Sequence, residues 1–193
     1  MRIFLCIFFL LNLYNCASTN EEIIIPGNEI NSKHIKSCTG RGSITSIGSI
    51  NGRLSYNFMS QNDSLFCQFQ DFLGRKVLLL WLTQDSIDAW NLIDNKKYNY
   101  SDVSSIIPIL SVLNPNYLIK FLWGQEITSN QINNPNHANI EVKLGRNNKN
   151  NSIIDKATFI DKSNRQEFSI KIDSRVFNEN YLDLKKYWKI ILS

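Results

Sequence analysis

The sequence predicts a mainly β chain with some α: a curved antiparallel sheet partly covered by short helices. Three observations carry this prediction. Apolar and polar side chains alternate through 54–69, the mark of half-buried strands. Between 101 and 125 the apolar residues change to helical spacing, and beyond 136 alternation returns. Strands, then helices, then strands again fit an antiparallel sheet better than βαβ units.

Taken in order, residues 1–15 read as a secretory signal peptide, in which Arg2 precedes an apolar run from Ile3 to Leu13. That run is shorter than the roughly 20 residues a membrane-spanning helix needs. In "LYNC" Leu13 stands three residues before Cys16, as in the lipobox of bacterial lipoproteins, so Cys16 is the expected lipidated first residue. Tyr14 and Asn15 occupy positions where small residues are expected. Ordinary cleavage near Ala17 or Ser18, leaving a soluble periplasmic chain, is therefore the competing reading. Residues 16–32 form the anchor and tether, with Pro26 and Gly27 among polar residues lacking periodicity, and 33–193 form the folded domain.

Within that domain Leu54, Tyr56 and Phe58 share one face of a strand, and Leu65, Cys67 and Phe69 one face of the next, with "SQND" as the turn. The run 77–82 is the following strand and "SIDAWNLID" the one after it. Two short helices are expected next. Pro108 is costly in a helix interior, so the first starts near Ser104 or Ser105 with Pro108 in its first turn. For the second, Asn114 suits the cap, Pro115 the first helical position and Gly124 the exit, with Leu118, Phe121 and Leu122 as its apolar stripe. The segments "ANIEVKLG", "KATFID", "EFSIKID" and "KKYWKIILS" are read as closing strands.

The formal charge of +4 falls to +3 once Arg2 leaves with the signal peptide. Such a weak, scattered excess argues against nucleic-acid binding. His34 and His137 have no metal-ligand spacing with a cysteine or carboxylate, so no metal site is expected. No nucleophile elbow or phosphate loop is present, and "GRG" at 40–42 lacks the context of a dinucleotide site; its glycines read as strand-entry or close-packing positions. No cofactor and no enzymatic activity are expected. For Cys38 and Cys67 two readings stay open, a disulfide or a buried free thiol.

One stretch, "QDFLGRKVLLLWL", poses a question. It sets Phe72 and Leu73 at a Gly74 turn, next to Arg75 and Lys76, ahead of a strand apolar on both faces. An apolar tip beside cations suits insertion at an anionic bilayer, and the competing reading makes the pair a cap on the core. A curved sheet with helices across its mouth encloses a space. The expected lining is Trp81, Trp90, Ile106, Leu110, Leu118, Phe121 and Leu122.

The run from "FQDFLGRKVLLLWL" through "DSIDAWNLIDNKKYNYSDVSSIIPILSVLNPNYLIKFLWGQ" resembles the LolA/LolB superfamily of lipoprotein-localisation factors, particularly its LolB-like outer-membrane lipoproteins. The shared features are the "LG" turn at Leu73-Gly74, an apolar strand, Asp94 and Tyr98, then two short helices ending in "LWG". The resemblance implies an unclosed antiparallel β-barrel, or half-barrel, with a lid of short helices over an apolar cavity for lipoprotein acyl chains. It assigns the membrane-insertion turn to Leu73, flanked by Phe72 and Gly74. It also implies a monomer held in the outer membrane facing the periplasm, with a soluble LolA-like carrier as partner. The expected function is binding of lipoprotein acyl chains and their insertion into that membrane. The alternative is an anchored lipid- or protein-binding sensor or interaction module that transfers nothing.

Overall fold

Strand β1 (Ser37–Ile47) owes its central place to two glycines. The structure is a computed structural model and describes residues 35–49, 51–83, 86–99, 102–103, 115–125, 140–146, 153–184, 186–187 and 189. Gly40 faces Phe58 and Gly42 faces Tyr56 on β2 (Gly52–Gln61). A Cβ at either glycine would strike those rings and the carbonyls of Ser174 or Lys171 on β9 (Gln166–Asn178), which lies on β1's other side. The "GRG" motif is thus a close-packing device.

The remaining strands are β3 (Ser64–Gln70), β4 (Lys76–Leu82), β5 (Ile87–Asn91), β6 (Lys96–Tyr98), β7 (Ile140–Arg146) and β8 (Ile154–Asp161). All pairings are antiparallel, in the order β6-β5-β4-β3-β2-β1-β9-β8-β7. The two edge strands, β6 and β7, do not pair, so the nine-stranded sheet is not closed.

Alternation along each strand divides the sheet into two apolar faces. On the inner face Tyr56, Phe58, Leu65, Leu80 and Leu82 are almost fully buried, in one cluster with Leu118, Phe121 and Leu122. Burying each such side chain stabilises by about 1.5–3 kcal/mol. On the outer face Phe66 and Leu79 pack with Met59, Trp81, Trp90 and Leu92. Tyr187 lies against this outer patch, its ring 5.5 Å from that of Phe66. The second apolar face of β4 is therefore a smaller core of its own, partly covered by the C-terminal segment.

Helix α1 (Pro115–Leu122) matches the second expected helix and docks Leu118, Ile119, Phe121 and Leu122 on the inner face. It ends as the sequence predicts. Gly124 has φ +73°, its N–H donates to Phe121 O at 2.9 Å, and Gln125 N–H donates to Lys120 O at 2.9 Å, a Schellman ending. Asn114, its expected cap, lies outside the described residues.

Two expectations need correction. Asp102 and Val103 are already helical, so that helix starts ahead of Ser104. The reason is a reciprocal cap: Asn99 Oδ1 accepts from Asp102 N–H at 3.0 Å, and Asp102 Oδ2 accepts from Asn99 N–H at 3.1 Å. Residues 104–114, with Pro108, lie outside the described residues, so α1 is the one helix of the expected lid that is described. The C-terminal "KKYWKIILS" is not a strand where it is described, because Lys186, Tyr187 and Lys189 are helical, as is Leu184 just before them. Leu184 and Tyr187, three apart, share a helix face, a period that the alternation reading passed over.

Candidate functional site

The turn between β3 and β4 is built around one carboxylate. Asp71 Oδ1 accepts from Leu73 N–H at 2.9 Å and from Arg75 N–H at 3.0 Å. Its Oδ2 receives the Arg75 guanidinium, with Nε and Nη2 each at 2.7 Å. Backbone bonds close the loop, from Asp71 N–H to Arg75 O and from Gly74 N–H to Asp71 O, both 3.0 Å. Gly74 takes φ +77°, a left-handed conformation that side chains disfavour, which lets the chain reverse within so few residues. Desolvation pushes the Asp71 carboxyl up, but the hydrogen bonds from Arg75 and Leu73 and the Arg75 charge outweigh it and hold the carboxyl below its usual range.

This bracing fixes what the turn displays. Phe72 is 88% exposed and Leu73 63% exposed, so neither caps the core. Arg75 and Lys76 beside them are exposed as well. The arrangement offers two large apolar side chains and two cations at one tip, on a backbone that cannot easily fold them inward.

The expected cavity lining does not come together. Leu118, Phe121 and Leu122 are 5%, 0% and 1% exposed and packed into the inner core. Trp81 and Trp90 stand on the opposite face of the sheet. That split corrects the expected lining: Trp81 alternates with Leu80 and Leu82 along β4, and strand alternation sends neighbours to opposite faces. Trp90 is further held by its Nε1 donating to Asn95 Oδ1 at 3.1 Å. Ile106 and Leu110 lie outside the described residues, as do Cys16, His34 and His137.

A cavity of about 470 Å³ opens elsewhere, beside α1, with Lys36, Asn62, Asp63, Tyr117, Lys120 and Trp123 among its walls. Trp123 is pinned there, its Nε1 donating to Ser60 Oγ at 2.8 Å. Sequence reasoning missed it because its walls come from three distant segments. The available signal was Asn116, Lys120 and Trp123 on the polar side of a helix chosen for its apolar stripe.

Cys38 and Cys67 are free thiols. Cys38 faces Ser60 and Cys67 faces Phe58, on opposite sides of β2, which places them two strand spacings apart. At about 9.6 Å that exceeds the roughly 7 Å limit for bridging, so the disulfide reading falls. Among the described residues no three His, Cys, Asp or Glu side chains group to hold a metal, and no helix is long and apolar enough to cross a membrane. No family model matches the chain, and no curated protein matches it significantly in sequence.

Proposed function

We propose that the chain is a lipid-anchored outer-membrane protein, facing the periplasm, that binds lipoprotein acyl chains received from a soluble carrier and helps insert them into the bilayer. One observation carries the reading: Phe72 and Leu73 are exposed on a braced turn beside Arg75 and Lys76. Two large apolar side chains held in water gain about 1.5–3 kcal/mol each on full transfer to an apolar phase, and the cations suit anionic headgroups. Acyl transfer asks for no catalyst. A bound chain leaves water at about 0.8 kcal/mol per CH₂ and departs when a bilayer is brought near.

A second reading is favoured by the tight packing of Leu118, Phe121 and Leu122 against the sheet. It makes the protein an anchored lipid- or protein-binding module without transfer. Leu73→Glu separates the two when a fluorescent acylated lipoprotein is offered with liposomes. Transfer is expected to fail while acyl binding persists and stability changes by well under about 1 kcal/mol. Transfer at the parent rate would show that the turn is incidental to transfer, and a parent protein that delivers no acyl chain to the liposomes favours the second reading.

A further inference from the structure

In an antiparallel meander alternate turns fall at the same end of the sheet. The β1–β2, β3–β4 and β5–β6 turns therefore share one end, opposite the β2–β3 and β4–β5 turns. Among the described residues, four of the seven exposed large apolar side chains stand at that end: Ile47, Phe72, Leu73 and Ile93, at least one from each hairpin. The other three, Val176, Tyr181 and Tyr187, belong to β9 and the C-terminal segment. We propose that these three turns form one docking rim for an anionic phospholipid surface, with Ile47 and Ile93 entering the bilayer alongside the Phe72–Leu73 tip. This rests on the membrane reading above and extends it from one turn to a whole edge.

The register shows why three tips can meet one plane. β2 continues through Gly52, Arg53 and Leu54 past the last β3 partnership, Ser55 with Gln70. The base of the β5–β6 turn, Asn91, faces Leu78, two residues below the Lys76 that opens β4. Each hairpin thus steps down by two to three residues, about 7–10 Å, while two strand spacings carry it about 10 Å sideways. That slope equals a strand tilt of roughly 35–45°, the range found in barrels, and strands tilted by that much would bring the steps level.

Charge and bracing agree with a headgroup layer. Arg53, Lys76, Lys96 and Lys97 are exposed beside the tips. Of the carboxylates between them, Asp71 is engaged by Arg75, and Asp94 accepts from Asn91 Nδ2 at 2.8 Å. Asn91 braces its turn as Asp71 does, with Oδ1 accepting from Ile93 N–H at 2.9 Å and Asp94 N–H at 3.2 Å. Gln166 ties down the first turn, donating from Nε2 to Ser46 Oγ at 2.7 Å and to Ile47 O at 3.1 Å. These bonds already hold the backbone of each tip, which lowers the part of the docking cost that comes from ordering the turns.

The test places a nitroxide on full-length protein at Ile47→Cys, Leu73→Cys or Ile93→Cys, with Asp63→Cys in the opposite turn as control and the parent chain as labelling blank. Vesicles of phosphatidylethanolamine with phosphatidylglycerol are compared with phosphatidylcholine alone, reading accessibility to oxygen against a water-soluble nickel complex. The expected result is a shift from water-like to bilayer-like accessibility at 47, 73 and 93 on the anionic vesicles. Position 63 stays aqueous, and the shift shrinks on neutral vesicles. A shift at 73 alone overturns the rim and leaves the single-turn reading standing. Equal shifts on neutral vesicles overturn the preference for anionic lipid. Three aqueous tips overturn both the rim and the membrane reading, in favour of a protein partner at this edge.

Discussion

The guanidinium of Arg175 on β9 donates through Nε to the carbonyl of Leu122 at 2.8 Å, which ties the end of α1 to the sheet. Its Nη2 also donates to Phe121 O at 2.9 Å and to Ile154 O. The side chain is buried, and its positive charge sits where the helix dipole is negative.

Removing Arg175 takes a donor from three interior carbonyls, of which Phe121 O keeps the Gly124 N–H. Arg175→Ala is expected to cost about 3 kcal/mol in urea unfolding. Arg175→Lys should recover less than half of that, because one ammonium cannot reproduce a planar fork serving three acceptors. A loss under about 0.5 kcal/mol for the alanine variant would show that α1 is held by its apolar face alone.

The Asp71 brace has a pH dependence whose sign follows from its depressed carboxyl. A carboxyl with a folded pKa below the unfolded one contributes its stabilisation above the unfolded value, about 3.9, and loses it as pH falls through the folded one. Exchange protection of the Leu73 and Arg75 amides is therefore expected to hold from neutral pH to about pH 4 and to fade below it. Asp71→Ala should remove that protection at every pH. Amides equally protected in the alanine variant would mean that Gly74 and the strand ends shape the turn without the carboxylate.

Much of the sheet was legible because its inner face is written in strict alternation, as in Leu65, Cys67 and Phe69. The end of α1 was legible because Gly124 and Pro115 act locally. The lining of the supposed cavity was not, since it depended on which face Trp81 and Trp90 would take. Period 2 sorts side chains into two sets without saying which set is inside. Along β4 both sets are apolar, so the choice was settled by α1 on one side and Tyr187 on the other, contacts made far away in the chain. The Leu73 turn was readable for the opposite reason: its glycine, its carboxylate and its cations all lie within the six residues 71–76.

Burial pushes the Cys38 thiol up to about 12, against the pull of the Arg175 charge, and raises the fully buried Cys67 as well. Neither is a thiolate at ordinary pH, so native protein at pH 8 should leave both unalkylated by iodoacetamide while unfolded protein is modified at both. Peptide mass mapping separates them from Cys6 and Cys16. Rapid alkylation of native Cys38 would mean that α1 lifts off the sheet readily, since its Sγ lies 4.0 Å from Leu122 O.

The last prediction weighs a packed inner face against an acyl-binding one. Phe121 is fully buried among the side chains of both α1 and the sheet. If this face is a core, Phe121→Ala removes a packed ring and leaves a cavity, at a cost of about 3–5 kcal/mol. If it is a binding surface that water or lipid already occupies, the loss should be well below 2 kcal/mol, roughly, because little packing is forfeited. The same variant discriminates a second time. A core opened by a missing ring stays dry and gains affinity for a small apolar probe such as benzene, whereas an acyl site loses affinity for a fluorescent fatty acid. Destabilisation with new benzene binding is the expected outcome. Near-parent stability with weakened fatty-acid binding would instead place cargo on this face beside Leu118 and Leu122.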